Sequence, residues 1–433
     1  MSTARPFPAA ALLPSLLATL LAGACAPQRH GTPWSDVREV TPEFLTRAAA
    51  ADPSLAVEPG GRVALTWVTR DSLGADAWLS VSADSGAHWS APVRLDPRPG
   101  KVSSYPESRP VVAWGRGGML VAAWAAARDS GRFADDVAVR VSADGGQTWG
   151  APNLVNDDHN DPLSTYHGFI ALDVLPDGRP MVAWIDGRFS ASPGDEPTMA
   201  DLFAATTSDG GATWADNVYV AESVCPCCRV TLRSDQRPGG PVEVAVAFRG
   251  AADDMRDPRL AVSRDGGTTF AYDTLVSADR WKLPGCPSVG PSLTFSSGGG
   301  LYAWFTGDSP ADSALVGRPA PGSYLVPWRV GAGPTGAKRS LGDSLRESTR
   351  PMLAQLGRGT MVAALGKAVG GPDRKVLAVR RLEADGALTP WLYLGSRVKS
   401  GAVAGQGASG AWAAWAEQFD QRTRVRVARL AER

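Results

Sequence analysis

One eight-residue pattern recurs along the chain at intervals of about 60 residues, and it constrains the fold more than any other feature. The pattern is Ser/Thr-x-Asp-x-Gly-x-x-Trp/Phe, and it occupies residues 82–89, 142–149, 207–214 and 263–270. Its Asp accepts backbone N–H bonds across a tight turn, its Gly takes a positive φ, and its aromatic ring packs beneath the hairpin. Recurrence at this period predicts a repeat fold built from β-hairpin units.

A pair of short apolar strands joined by a Gly-rich turn forms a second repeat. It occurs at residues 54–67, 111–124, 169–184, 230–248, 292–304, 352–365 and 402–415. A third strand follows each pair, and the aromatic residue after the tight turn opens a fourth. Trp391 closes a degenerate turn at Asp385-Gly386, and Trp328 is placed where another turn would close.

The two ends of the chain complete each other in this scheme. The last unit lacks a fourth strand, whereas residues 34–40 form a fourth strand without a unit of their own. Pairing them removes the exposed edges of an open array. We therefore predict an all-β fold, a β-propeller of seven four-stranded antiparallel blades closed by both termini. Six blades, with one unit a decorated hairpin, is the alternative.

The composition suits many short strands and gives no electrostatic reason for a nucleic-acid partner. The 433 residues include 48 Gly and 34 Pro, and 44 basic side chains balance 44 acidic ones. A chain with no net charge has no general attraction for nucleic acid or for an anionic membrane surface. We expect a monomer.

The N-terminal residues predict export and a lipid anchor. Residues 1–24 contain one Arg, an apolar stretch and small residues, which is the layout of a signal peptide. The segment Leu21-Ala22-Gly23-Ala24-Cys25 is similar to a bacterial lipobox, in which the cysteine becomes lipidated. An ordinary signal peptide with an incidental cysteine is the alternative. The predicted organisation is a signal peptide (1–24), a tether (25–32) and a propeller (33–433) in the bacterial cell envelope. We expect the outer membrane, facing the periplasm or the exterior, with membrane contact only through the lipid.

The recurring turns resemble the Asp boxes, or BNR repeats, of the sialidase/neuraminidase superfamily, over nearly the whole chain after the predicted signal peptide. Members of that superfamily have six blades, so seven departs from the family pattern. The resemblance implies a ligand site around the central channel, on the face opposite the Asp boxes. It also implies exo-sialidase-type glycoside hydrolysis as one possible activity. Because Asp boxes mark the fold rather than the chemistry, the function has to be argued from the residues of that face.

Three arginines occupy equivalent positions on that face. Arg109, Arg229 and Arg350 stand just before the inner strands of alternate blades. Three guanidiniums at one level could clamp a carboxylate or phosphate, and sialidases use an arginine triad on the carboxylate of their substrate. The alternative is that they pair with nearby carboxylates and hold the ring together. The candidate partners are Glu107, Glu347 and Asp52.

The same face supplies candidate catalytic residues. Sialidases use a Tyr nucleophile activated by Glu, with an Asp as acid/base. By that resemblance we assign Tyr166, Glu107 and Asp52, although no Tyr–Glu pair occupies the late blades where the family has it. Arg188 and Asp186, between the second and third strands of blade three, are further ligand candidates.

Four cysteines are predicted to cluster on this face, and they are Cys225, Cys227, Cys228 and Cys286. In an oxidising envelope they most simply form two disulfides, with Cys227 or Cys228 joined to Cys286 across two blades. A Cu(I) or Zn(II) site to which His167 adds a ligand is a second interpretation, and a redox-active thiol pair is a third. Residues 157–161 are polar enough to bind Ca²⁺, although a solvated loop is favoured there.

These patterns favour an envelope lipoprotein that binds an anionic or glycan-type ligand at the channel mouth. Two alternatives remain: an exo-sialidase-type glycoside hydrolase, and a noncatalytic scaffold or metal-handling protein that uses its cysteines.

Overall fold

The repeat units form seven antiparallel sheets in a computed structural model of the chain. The structure describes residue 1 and residues 34–47, 49–129, 133–161, 165–189, 199–296, 298–308, 319–407 and 410–432. The predicted signal peptide, tether and lipidation site Cys25 lie outside the described residues. Within the described ranges, no helix is long and apolar enough to cross a bilayer.

The seven sheets are the blades of a seven-bladed propeller, so the predicted blade count is confirmed and six is excluded. The chain begins with β1 (Trp34–Glu39) and a short helix, α1 (Glu43–Arg47). Blade one contains β2 (Ala50–Val57), β3 (Val63–Asp71), β4 (Gly74–Ser82) and β5 (Val93–Arg94). Blade two contains β6 (Val102–Ser103), β7 (Val111–Trp114), β8 (Leu120–Ala127), β9 (Asp135–Ser142) and β10 (Asn153–Leu154). Blade three contains β11 (His167–Val174), β12 (Pro180–Asp186), β13 (Ala200–Thr206) and β14 (Val218–Val224).

The remaining four blades follow the same plan. Blade four contains β15 (Thr231–Gln236), β16 (Val242–Arg249), β17 (Pro258–Ser263) and β18 (Tyr272–Leu275), and blade five contains β19 (Ser292–Leu293), β20 (Gly299–Thr306), β21 (Gly322–Arg329), β22 (Gly333–Pro334) and β23 (Arg339–Ser340). Blade six contains β24 (Leu345–Gln355), β25 (Thr360–Ala368), β26 (Val376–Leu382) and β27 (Leu392–Leu394). Blade seven contains β28 (Val398–Gly405), β29 (Ala411–Phe419) and β30 (Arg422–Glu432). Two short 3-10 turns occupy Arg116–Gly118 and Ala252–Asp254.

The predicted pairing of the two ends is confirmed. β1 is antiparallel to β30, with Trp34 opposite Glu432 and Glu39 opposite Ala428, and it completes the blade of β28 and β29. The Trp34 side chain is 2% exposed and packs in the apolar cluster between blades six and seven. The ring is therefore closed without a covalent bond.

The central strands of the blades are apolar on both faces because each blade lies between two others. β8, for example, is buried along nearly its whole length, and it reads as a continuous apolar run rather than an alternating one. Seven apolar clusters fill the seven gaps between neighbouring blades. Burial of Trp124, Trp184 and Trp304 at equivalent strand positions accounts for the abundance of Trp in the sequence.

The recurring turns join third and fourth strands, and one copy shows how the motif works. The Ser142 hydroxyl accepts from the Gly146 N–H at 2.7 Å, and the Thr148 N–H donates to the Asp144 carboxylate at 2.8 Å. Gly146 has φ +91°, which disfavours other residues. Blade five differs, because Trp328 lies within its third strand, β21, and packs on Phe295; the predicted turn closed by Trp328 is wrong.

Candidate ligand-binding site at the channel mouth

The inner strands of all seven blades surround a narrow central channel of about 120 Å³. Glu107, Arg109 and Arg229 line it where the chain enters the inner strands. Strands alternate in direction, so this mouth is at the opposite end of the blades from the recurring turns. The residues predicted for the ligand face at the channel mouth therefore lie on one face of the ring.

A buried carboxylate holds two of the three predicted arginines. Glu107 is 4% exposed, and its Oε1 lies 3.2 Å from Arg229 Nη1 and 3.6 Å from Arg350 Nε. Its Oε2 accepts the Gly290 backbone N–H at 3.0 Å. Arg229 also donates to carbonyl oxygens at 2.7 to 3.4 Å, which belong to Gly290, Pro291 and Pro351. The arginines thus converge on a protein carboxylate, and the contacts tie blade two to blades four, five and six.

Arg109 completes this ring of contacts by donating to the Gly401 carbonyl. Burial and the nearby charge of Arg229 lower the pKa of Arg109 to about 10, so it stays protonated at neutral pH. The other two predicted partner carboxylates form their ion pairs with other cations, although Asp52 also acts electrostatically on Arg109. Asp52 pairs with Arg70 at 2.7 Å, and Glu347 pairs with Lys367 at 2.7 Å.

The three candidate catalytic residues do not all line the same cavity. Tyr166 and Glu107 line one cavity, whereas Asp52 does not. The Tyr166 hydroxyl donates to the Pro226 carbonyl at 3.2 Å, and burial raises its pKa well above the usual value. A phenol in this environment resists ionisation and is a poor nucleophile.

His167 lies in a carboxylate cluster rather than with the cysteines. Its Nε2 is 3.1 Å from Asp158 Oδ1 and 3.3 Å from Asp186 Oδ2, and its Nδ1 faces the Asp135 carbonyl at 2.7 Å. Burial lowers the pKa of His167, but the two carboxylates outweigh it and raise the pKa to about 10. Arg188 adds a bidentate pair to Asp186 at 2.9 to 3.0 Å. The two carboxylates of this cluster thus face an imidazole and a guanidinium.

The loop predicted as a calcium candidate is part of the same network. Asp157 pairs with Arg188 at 2.6 Å, and the Asp161 carbonyl accepts from Arg128 at 3.0 Å. Both interactions direct oxygen atoms of the loop toward guanidinium groups.

A larger cavity of about 830 Å³ opens beside the channel mouth. Its lining includes aromatic rings and charged groups, namely Tyr105, Phe133, Tyr166, Phe169, Glu107, Asp254, Arg256 and Arg350. Tyr105 is 46% exposed. The size lies within the range of about 300–1,000 Å³ usual for small-molecule sites.

Arg256 is a charged residue of the cavity wall that the sequence patterns do not single out. It is 4% exposed, its Nε donates to the Leu283 carbonyl at 3.2 Å, and its Nη2 lies 3.6 Å from Asp254 Oδ1. Within the described part of the chain, its buried Nη1 has no hydrogen-bond partner. Arg256 lies between the second and third strands of blade four, among the loops already considered, but it occupies no repeated position that singles it out.

The cysteines cluster at the edge of this cavity. Cys227 and Cys286 form a disulfide that joins the segments entering blades four and five. Cys225 and Cys228 are buried free thiols, and Cys225 Sγ lies 3.6 Å from Cys227 Sγ. Burial raises the pKa of Cys225, but the Cys228 thiol, the Cys227 N–H and the guanidiniums of Arg249 and Arg256 together lower it. The sulfurs of Cys225, Cys227 and Cys228 lie within 4.8 Å of one another, so they would suit a soft metal only after the disulfide is reduced.

Comparison with known proteins identifies the fold. No protein-family model matches the sequence, and a search of curated proteins returns no match. Among solved structures, a polysaccharide lyase aligns with TM-score 0.51 and 11% identity over 88% of this chain and 90% of its own. A Hadza microbial sialidase aligns with TM-score 0.49 and 15% identity over 91% of this chain and 68% of its own. A Dyadobacter fermentans protein of unknown function aligns with TM-score 0.48 and 14% identity over 89% of this chain and 95% of its own. At 11% identity, the likeness to the polysaccharide lyase shows a shared fold alone.

Proposed function

We propose that this sialidase-like propeller binds a carboxylated saccharide in the cavity beside the channel mouth, without hydrolysing it. The carrying observation is a cavity of about 830 Å³ whose wall contains two guanidinium groups, those of Arg256 and Arg350. A hydrogen bond between a guanidinium and a ligand carboxylate is charge-assisted and contributes about 1.5–3 kcal/mol.

The charge around the cavity favours an anion. The cavity is lined by Arg256 and Arg350 against Glu107 and Asp254, and Arg229 lies directly behind Glu107. The three guanidinium groups exceed the two carboxylates by one positive charge. A guanidinium binds a carboxylate better than a neutral hydroxyl.

The aromatic wall favours a sugar over a simple anion. Tyr105 and Phe133 present ring surface to the cavity, and its volume exceeds that of a small inorganic ion. Aromatic rings with a polar edge contact the apolar face of a sugar while hydrogen-bonding its hydroxyls.

The same contacts argue against hydrolysis. Glu107 accepts hydrogen bonds from Arg229 and from the Gly290 N–H, and these bonds engage both of its carboxylate oxygens. Tyr166 is held as a neutral hydroxyl. Neither group is poised as the nucleophile or base that glycoside cleavage requires.

Calorimetry with N-acetylneuraminic and glucuronic acids, each compared with neutral N-acetylglucosamine, tests the proposal. Arg256→Gln should weaken binding of the acids about 10- to 150-fold, which corresponds to loss of a charge-assisted bond of about 1.5–3 kcal/mol. Arg358→Gln is the matched control, because Arg358 is exposed on the turn between β24 and β25, at the other end of the blades. Equal binding of acidic and neutral sugars, or an unaffected Arg256→Gln variant, would contradict the proposal. Release of sugar from aryl sialosides would favour the hydrolase instead.

We also propose that binding takes place in the cell envelope, with the propeller tethered through a lipid on Cys25. The support is the N-terminal sequence alone. Full-length protein should take up radiolabelled palmitate and partition into detergent, and Cys25→Ser should abolish both. Palmitate labelling of Cys25→Ser at the level of the unsubstituted chain would refute the anchor.

A further inference from the structure

Four sulfur atoms at the edge of the cavity are arranged as one disulfide beside two thiols. The Cys227–Cys286 disulfide has its Cys286 end exposed in the cavity wall, whereas Cys225 and Cys228 are buried behind it. Cys225 Sγ is 3.6 Å from Cys227 Sγ, which is van der Waals contact between an attacking sulfur and the sulfur it would attack.

The surroundings favour a nucleophilic thiol. Arg249 is 1% exposed, its neighbour Arg256 is 4% exposed, and both act electrostatically on Cys225. Positive groups next to a cysteine stabilise the thiolate, which is the form that attacks a disulfide. The Cys228 thiol is in hydrogen-bonding contact with Cys225, so it is close enough to react with Cys225 in a second exchange.

We propose that these four cysteines form a thiol–disulfide exchange relay that connects the buried Cys225/Cys228 pair with thiol or disulfide groups reaching Cys286 in the cavity. This goes beyond saccharide binding and does not depend on it. The relay uses the chemistry of sulfur alone and requires no bound metal.

The exchange balances within the chain. The Cys225 thiolate attacks Cys227 Sγ, a Cys225–Cys227 bond forms, the Cys227–Cys286 bond breaks, and the electron pair leaves on the Cys286 thiolate. Cys228 Sγ then attacks Cys225 Sγ and expels the Cys227 thiolate, which takes up the proton that Cys228 loses. The final state has a Cys225–Cys228 disulfide, and the two protons lost by Cys225 and Cys228 are taken up by Cys227 and Cys286. One disulfide and two thiols are present throughout, so no external oxidant or reductant takes part.

Alkylation of the native protein tests the relay. Folded protein is incubated with N-ethylmaleimide in thiol-free buffer, quenched in acid, digested without reduction and mapped by mass spectrometry. We expect the label to accumulate on Cys286, with a new disulfide from Cys225 to Cys227 or to Cys228. The Cys225→Ser variant should lose at least 10-fold in the rate of Cys286 labelling. Cys228→Ser is the matched control, and it should keep the labelling but stop at the Cys225–Cys227 bond.

The disulfides mapped in the wild-type protein test the relay even if a variant folds poorly. A wild-type chain that retains an intact Cys227–Cys286 disulfide and an unlabelled Cys286 would overturn the relay. Equal labelling of Cys286 in wild type and in folded Cys225→Ser would overturn it as well, because Cys225 would then not be the attacking group. Melting curves of the variants establish whether they are folded.

Discussion

Replacing Glu107 with Gln is the sharpest test of how the blades are held at the channel mouth. The substitution keeps the shape but removes the charge that faces Arg229 at 3.2 Å and Arg350 at 3.6 Å. The Glu107 side chain is only 3% exposed and that of Arg229 11%, so solvent screens the pair weakly. Breaking a buried ion pair by removing one partner costs about 3–5 kcal/mol, because a buried charge is left uncompensated.

The expected shift in melting temperature follows from chain length. At about 2.1 cal/mol/K per residue, the unfolding entropy of a chain this long is about 0.9 kcal/mol/K. Glu107→Gln should therefore lower the melting temperature by about 3–6 °C, measured by calorimetry at a fixed scan rate and checked by tryptophan fluorescence.

A surface pair provides the matched control. Glu347 is 57% exposed and pairs with Lys367, which keeps a second partner, Asp373, at 2.9 Å. Exposed pairs contribute about 0–1 kcal/mol, so Glu347→Gln should shift the melting temperature by about 1 °C or less. If the Glu107→Gln and Glu347→Gln variants have the same melting temperature, the carboxylate at the channel mouth does not hold the blades together.

Two further substitutions test the closure and the recurring turns. Trp34→Ala removes a large buried side chain from the closing strand β1. It should lower the free energy of unfolding by about 3–5 kcal/mol, measured as a lower midpoint of urea unfolding. A midpoint equal to that of wild type would refute the role of β1 in closure. The Thr148 hydroxyl and N–H, with the Ser142 hydroxyl, hold the pKa of Asp144 at about 2, so its stabilising contribution is complete above pH 3.8 and is lost as the pH falls through 2. Wild type should therefore lose more in melting temperature between pH 5 and pH 2 than Asp144→Asn, and parallel curves would show that this carboxylate is not coupled to folding.

The fold was predictable because its determinants are local and periodic. The Asp144 turn needs only residues within four positions of the Asp, and the same spacing returns in later blades. The strand that begins at Trp34 has no blade of its own, so the sequence alone predicts that it pairs with the last strand and that the ring has seven blades.

The site was less predictable because it depends on side-chain directions and on partners far apart in the chain. Arg229 and Glu107 are 122 residues apart, and nothing in either segment shows that the guanidinium turns toward that carboxylate rather than into open space. His167 neighbours the cysteine-bearing segments in the ring, yet its imidazole turns to Asp158 and Asp186. The place of Arg256 in the cavity wall depends on its burial and its hydrogen bonds, which the sequence does not show.

The closing strand has a consequence for how the chain folds. Contacts between β1 and β30 join residues up to 398 positions apart, as in the pair Trp34 and Glu432. The strand β1 is therefore synthesised first but finds its partner only after β30 is made. Closing a loop of that length carries an entropic cost of about 5 kcal/mol in a simple chain model, and such distant pairing is slow. During that interval the last blade offers an open strand edge that β1 of a second copy fits equally well. Crowded, newly made chains should therefore form strand-exchanged dimers, in which each ring is closed by its neighbour's first strand.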